Sequence, residues 1–393
     1  MRILFLYPRK LDGKTSVGGV AEFLYALTPA LHALGIEAYV YAGDKSAREI
    51  SGPLKLAPGL TVYHGPFIKP GLFVSPHKLK PILKLCDQLK IDVTHAQGTY
   101  TAGFLARQIF KKRGIPYVVT SHSDVSPRNS QRINRSNVKK RCEKVLQDAA
   151  VVTHLTPDME AHSQRISDTQ SKNVLIGNGI HLKEWDAYHL LPEQDYMLGI
   201  GRLERGKGFH VLIDMYSELI KKNIETSLII AGKGGAEIEL QTQARDLGLN
   251  VLVNFSDFND IPKRSVIFTG YVRGDDKSRL IAQSKCVMFP TQPALWEEAF
   301  PIVHLETMAA GRPMVASDIG VIRYLQSFGL SVLVVTPDDI KAWTDATEQL
   351  LGDEGRRYEM GANNAKTARQ FDWSLIASKY KEVYQQAKSS RKS

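Results

Sequence analysis

The sequence predicts an α/β protein built as two doubly wound domains, each a mostly parallel sheet covered by helices. Three observations carry that expectation. The chain has 393 residues, too many for one ordinary core and suited to two domains of roughly 150–200 residues each. Short apolar runs alternate with helical patterns along it, as in a parallel sheet with helices on both faces. The pattern also starts twice, with strand, glycine-containing loop and helix at Ile3–Tyr7 and again at Tyr196–Ile200.

Composition narrows the class of protein. Hydrophobic residues make up 43% and charged residues 23%, values of a soluble globular chain. A net charge of +10 favours anionic partners: nucleotide diphosphates, phospholipid surfaces or nucleic acid. No nucleic-acid-binding signature is present, so nucleic acid is not expected among the partners. Cys86, Cys142 and Cys286 form no C-x-x-C pair, so no zinc or redox motif is expected, and the sparse set suits reducing cytosol. No apolar run approaches the ~18–20 residues of a membrane span. The apolar run of MRILFLYPRK is too short for a signal peptide and reads as a first strand.

In chain order, Ile3–Tyr7 is the first buried strand, and a loop containing Gly18 and Gly19 leads into the helical pattern VAEFLYALTPALHALG. Glycine at that joint lets a diphosphate approach backbone amides closely. Further strands are expected at Ala38–Ala42, Thr61–Tyr63, Val93–His95, Pro116–Ser121, Ala150–Thr153 and Asn173–Ile176. His95 and His122 close two of these strands, and ligands of such sheets bind beyond strand carboxyl ends. A strand-end histidine is more often a hydrogen-bonded structural residue. Arg128, Arg132, Arg135 and Lys139 recur at helical spacing and predict one basic stripe, beside an apolar face of Val138, Cys142, Val145 and Ala149. That stripe reads first as a solvated face; the functional alternative is a landing site for an anionic acceptor or phospholipid headgroup. Phe67–Lys90, apolar and basic with Pro70, Pro76 and Pro81, reads as an acceptor-side or membrane-contacting loop. The first domain is placed at 1–187, the second at 188–371, with the stretch HLKEWDAYHLLPEQD across their boundary as linker, and a C-terminal helix and tail at 372–393.

In the second domain the strand Tyr196–Ile200 runs into GRLERGKG and the helix FHVLIDMYSELIKK. Arg202 and Lys207, two fixed cations beside a helix start, suit a diphosphate. SLIIAGKGG repeats strand and glycine turn. Asn250–Arg264 reads as an insertion before the strand VIFTGYV, which ends at Tyr271 and Val272, beside Arg273. The most informative stretch is PTQPALWEEAFPIVHLETMAAGRP, from Pro290 to Pro313. Pro301 fits the first helical position, and Gly311 with Pro313 marks the stop. Ile302, Leu305 and Ala309 form a core-facing stripe. Glu306 falls on or beside that stripe, so its carboxylate needs a partner. Glu298 precedes the helix. Acids before a helix also oppose its dipole without any ligand, which accounts for Glu297 and Glu298 but less well for Glu306.

This stretch, with E-A-F, P-I-V-H-L and E-T-M-A-A-G-R-P, resembles the two-glutamate signature of the retaining family 4 glycosyltransferases of the GT-B fold. G-R-L-x-x-x-K-G at Gly201–Gly208 resembles that family's second distinctive motif, Thr120-Ser121-His122 its T-x-H segment and Asn178-Gly179-Ile180 its N-G-[IV]-D turn, with His181 in place of the aspartate. The departures are Pro301 for the usual glycine, Thr307 for the frequent alanine, and G-V-I-R-Y after Ile319 for G-G-x-P-E. The resemblance implies two Rossmann-like domains facing a central cleft, with a C-terminal helix crossing back to the first. It implies a nucleotide-sugar donor, UDP-linked or alternatively GDP-linked, an unknown hydroxyl acceptor, and transfer of a hexose-type sugar with retention. Donor contacts are implied for Gly18, Gly19, Arg202, Lys207, the backbone at Tyr271, Glu298, Phe300, Pro301, Ile302, Val303 and Glu306. Glu306 takes the ribose hydroxyls, Glu298 the sugar hydroxyls, and His122 lies near the reacting sugar. The chain has no D-x-D, so Arg202 and Lys207 are expected to serve in place of a metal, with no cofactor. Three rivals remain: another GT-B enzyme such as an epimerase or phosphorylase, a dinucleotide-dependent dehydrogenase, and a non-catalytic binder of the same fold. The dehydrogenase lacks a good G-x-G-x-x-G followed by an acid. A cytoplasmic protein, with peripheral contact to an anionic membrane surface, is the expected setting.

Overall fold

A computed structural model of the chain describes residues 1–13, 18–71 and 75–390. Its first sheet contains β1 (Arg2–Tyr7), β2 (Glu37–Asp44), β3 (Ser51–Ala57), β4 (Leu60–Pro66), β5 (Val93–Gln97), β6 (Tyr117–Ser121), β7 (Val151–His154) and β8 (Asn173–Leu175). The spatial order is β3-β4-β2-β1-β5-β6-β7-β8, and every pairing is parallel except β3 with β4. The second sheet contains β9 (Tyr196–Ile200), β10 (Ser227–Ala231), β11 (Asn250–Val253), β12 (Ser265–Gly270), β13 (Cys286–Phe289), β14 (Met314–Ser317) and β15 (Val332–Val335). Its order is β11-β12-β10-β9-β13-β14-β15, parallel throughout. Both sheets are doubly wound, as predicted. In each, the first strand is central and the order reverses beside it, the place where such sheets bind ligands.

Two compact units result. One is Met1–Gly179 together with Trp373–Ser393, the other Ile180–Asp372. Residues 180–187, read as the end of the first domain, thus lie in the second unit, where Ile180 N–H donates to Phe371 O at 2.8 Å. The C-terminal helix Trp373–Ser389 belongs to the first unit. It buries Trp373, Ile376, Tyr380 and Tyr384 against β1 and the helix Gly19–Ala33. Gly179 has a physical reason there: a Cβ would stand 2.6 Å from the Trp373 ring.

Several local expectations are corrected. The antiparallel edge strand β3 was not anticipated, because its exposed SGPLKLA lacks an apolar run. The edge strand β15 of the second sheet was also missed. The presumed insertion opens as edge strand β11, paired with β12. The remainder of that segment is tied back by Ser227 Oγ–H to Pro262 O at 2.5 Å. The strand β12 stops at Gly270, so Tyr271 and Val272 lie past its end. Pro301 caps its helix with extended ψ, one residue before the first helical position. The basic residues do not share a helix: Arg132 is in a short 3₁₀ turn, Arg135 is an N-cap, and only Lys139 lies within the helix Ser136–Asp148. The apolar face of that helix is as predicted, with Val138, Cys142 and Val145 buried. Much of Phe67–Lys90 is the helix Pro76–Leu89, which buries Leu79, Ile82 and Cys86; residues 72–74 of that reading lie outside the described residues, as do 391–393 of the tail. No helix among the described residues is long and apolar enough to cross a membrane.

Candidate active site

The candidate site of the second unit is assembled where two loops lock together. The turn after β9 carries Arg202 and Lys207; the loop after β13 carries Trp296 and Glu298. Gln292 N–H donates to Gly206 O at 2.9 Å. The loops pass so closely that only glycine fits at two points. A Cβ on Gly208 would stand 1.9 Å from Pro290 O, and one on Gly206 would stand 2.6 Å from Trp296 Cβ. Gly208 also has φ +73°, which turns the chain into the helix Phe209–Lys221. Gly208 of the motif and Gly206 within it therefore serve first to dock one loop on the other.

That docking brings opposite charges together. Lys207 Nζ ion-pairs with Glu298 Oε1, and Thr291 Oγ1–H donates to the same oxygen at 3.2 Å. Burial works to raise the Glu298 carboxyl, whose side chain is only 9% exposed. The charge and hydrogen bond of Lys207 outweigh it and hold the group below the usual carboxylate range. Trp296 lies beneath both cations, with Arg202 Cζ 5.0 Å and Lys207 Nζ 5.7 Å from its ring. The indole face thus holds two positive groups side by side.

The helix Ile302–Ala309 begins just beyond. Its first-turn amides lack intrahelical partners and form a local positive end. Ile302 and Val303 are half-buried, whereas every residue from His304 to Ala309 is buried. The expected one-sided stripe is therefore an almost wholly buried helix. Phe300 faces away from solvent into an aromatic cluster, 5.9 Å from Phe371 and 6.3 Å from Tyr324, so its ring is occupied by packing. Glu306 is 8% exposed and has the partner that its position demands, Lys277 Nζ at 2.5 Å. Tyr271 is 57% exposed. Arg273 is the N-cap of the helix Gly274–Ala282 that carries Lys277.

Three residues here escaped sequence reasoning. Trp296 and His304 lie inside the stretch already singled out, but nothing in their spacing marked them. Lys277 lies elsewhere in the chain and only the packing of two helices reveals it. His304 is 2% exposed, edge-on to Phe289 at 4.2 Å. Burial pushes it down to about 4, with Glu298 pulling it up and Lys207 opposing. Its Nδ1 has no hydrogen-bond partner among the described residues.

In the first unit, Gly18, Gly19 and His122 line one cavity of about 730 Å³, with Gln97 and Asp124. Gly18 has φ +123° and caps the helix Gly19–Ala33. His122 Nε2–H donates to Gln97 Oε1 at 2.9 Å, and its ring meets Phe23 edge-on at 5.5 Å. Burial pushes His122 down to about 4, so it is a neutral hydrogen-bonding group at pH 7. His95 is structural: fully buried, it bonds Tyr384 OH at 2.8 Å and Thr120 Oγ1 at 2.6 Å. At the Val321 turn, Val321 and Ile322 are buried in the core, so the departure from G-G-x-P-E substitutes apolar packing.

Two family models match in succession. One described as Glycosyltransferase Family 4 covers residues 17–184, and one described as Glycosyl transferases group 1 covers 194–353. A D-inositol 3-phosphate glycosyltransferase of Frankia alni is 24% identical, over 97% of this chain and 98% of that protein. The O-antigen chain mannosyltransferase C of Escherichia coli is 25% identical over 93% of each. Among solved structures, the sucrose-phosphate synthase of Thermosynechococcus elongatus superposes with a TM-score of 0.76 at 19% identity, covering 99% of this chain and 100% of that one. Anabaena HepE in complex with UDP-glucose gives 0.71 at 19% identity, covering 97% and 98%. At these identities the structural likeness shows the fold alone.

Proposed function

Because the chain belongs to the family 4 glycosyltransferases of the GT-B fold, we propose that it moves a hexosyl group from a nucleotide-diphosphate sugar to a hydroxyl acceptor, with retention and without a metal. A UDP-sugar is the favoured donor, since related folds are known in complex with UDP and UDP-glucose; a GDP-sugar is the alternative. The observation that carries the reading is the pairing of Lys207 with Glu298 beside Arg202 over one indole face.

In the reaction, the bond from the anomeric carbon to the diphosphate oxygen breaks and a bond to the acceptor oxygen forms on the same face. The acceptor proton leaves to the departing phosphate. Negative charge grows on that phosphate, where Arg202, Lys207 and the first-turn amides at Ile302 and Val303 meet it. Lys207 is held by Glu298 in the free protein, and Glu298 is then available to the sugar hydroxyls. Glu306 takes the ribose hydroxyls and exchanges part of its bond to Lys277. Tyr271 supports the base through its backbone. In the first unit, His122, a neutral imidazole whose Nε2–H is spent on Gln97, offers Nδ1 as an acceptor to a hydroxyl of the reacting sugar, and Gly18 and Gly19 admit the phosphates. No cofactor is needed. A saccharide, cyclitol or lipid-linked hydroxyl is the acceptor class, in line with an inositol 3-phosphate glycosyltransferase and an O-antigen mannosyltransferase among the relatives.

A panel of UDP, GDP and ADP sugars, screened by thermal shift, selects the donor. With the best of them, Lys207→Ala should fold normally yet lose roughly 3–4 kcal/mol of transition-state stabilisation, about two to three decades in kcat, and wild-type turnover should persist in EDTA. Wild-type turnover by Lys207→Ala would remove the phosphate role from that side chain; loss in EDTA with restoration by magnesium would remove the metal-free mechanism.

A further inference from the structure

The cavity of the first unit has two chemically different parts. One is polar, with hydrogen-bonding valences left unspent. Gln97 is 4% exposed; its Oε1 is taken by His122, while its Nε2 has no hydrogen-bond partner among the described residues. Asp124 Oδ2 accepts from the N–H groups of Thr99 at 2.6 Å and Tyr100 at 3.2 Å, while Oδ1 is buried with no partner among the described residues. A buried amide donor and a buried carboxylate acceptor, both unspent, cost stability until hydroxyls satisfy them. The other part is cationic. Arg9, Lys45 and Arg132 also line the cavity, all three exposed, and none of them has a carboxylate partner among the described residues. Asp124 is the one acid in the lining among the described residues.

Unpaired cations around a concave, partly apolar wall concentrate potential for an anion, and a guanidinium fork fits a phosphate better than any neutral group does. We propose that the acceptor is a polyhydroxylated phosphate. Its hydroxyls occupy the Gln97, His122 and Asp124 end of the cavity, and its phosphate is held by Arg9, Lys45 and Arg132. The proposal rests on the reading of this chain as a transferase whose acceptor enters the first unit. The same chemistry is available in a soluble sugar or cyclitol phosphate and in a phosphoinositide-type lipid headgroup.

Calorimetric titration of the full chain tests it. The soluble arm compares glucose 6-phosphate, mannose 6-phosphate and myo-inositol 1-phosphate with glucose, mannose and myo-inositol. The lipid arm compares phosphatidylcholine vesicles with and without phosphatidylinositol. In at least one arm the phosphorylated probe should bind about tenfold tighter, the worth of one charge-assisted hydrogen bond. The contrast should collapse in both Arg132→Glu and Lys45→Glu, while UDP affinity stays at the wild-type value. Contrast only in the soluble arm names a free phosphate as the source; contrast only with vesicles names a headgroup. The proposal is overturned if neither arm shows contrast, if the contrast survives both substitutions, or if UDP affinity falls with it, since the cations would then serve the donor. A wild-type chain that binds the sugar phosphate but no nucleotide would leave the anion site standing and remove the transferase reading instead.

Discussion

At the scale of single residues, Trp296 is the least anticipated part of the candidate site. Its ring faces both Arg202 and Lys207, two like charges that repel one another unless something between them is attractive to both. Cation–π contacts of this kind contribute about 0.5–2 kcal/mol. Trp296→Ala should therefore let both side chains drift from their phosphate-binding positions and lower kcat/KM about tenfold, while Trp296→Phe, which keeps a ring face, should recover most of it. Equal losses in the two variants would mean that the indole acts by packing against Gly206 and not by holding the cations. The contrast with Glu306 is instructive. Its need for a partner was legible from its place on or beside an apolar stripe, but the partner was not. Lys277 is supplied by the helix Gly274–Ala282, and no spacing rule links the two positions.

Elements explain what could and could not be read in advance. The central strands are short apolar runs buried on both faces, and period and length alone identify them. The edge strands β3, β11 and β15 carry exposed residues and fit no such rule, because their formation is decided by pairing with a neighbour already in place. The basic stripe failed for a related reason. Helical spacing of Arg128, Arg132, Arg135 and Lys139 says nothing about where the helix begins, and it begins at Ser136. The glycine-rich turns were legible because close approach excludes every other residue. The C-terminal helix was legible at 372–393, and the structure adds a polar contact to its apolar docking. Tyr384, fully buried, bonds the equally buried His95. Tyr384→Phe keeps the packing but strands a buried imidazole nitrogen, at a cost of about 1–3 kcal/mol. Urea denaturation followed at the first unit should show the loss; an unchanged midpoint would mean that water or a shifted tautomer satisfies His95.

On the scale of the whole molecule, one chain threads two units, with residues 180–372 inserted between the strands of the first unit and its closing helix. Both units hold histidines that burial keeps neutral. His122 and His304 are each pushed down to about 4, and His95 and His154 are also held below the ordinary value, in every case chiefly by burial. In the unfolded chain these groups take up protons near pH 6.5. Between that value and about 4 the unfolded state therefore binds more protons than the native state, and stability rises with pH across that window. The stability is fully present above pH 6.5, is lost as the pH falls towards 4, and levels off below the folded-state values. Glu298 acts in the same direction at lower pH, since its depressed carboxyl stabilises the fold only while ionised. His304, at 2% exposure, should alone account for roughly 2 kcal/mol between pH 6.5 and 5. Urea midpoints at pH 7 and pH 5 should thus differ for both units, and His304→Gln, if it folds, should flatten the dependence of the second unit and leave that of the first. Identical midpoints at the two pH values would mean that the histidines protonate in place, and with that the neutral role assigned to His122 beside the sugar would be lost.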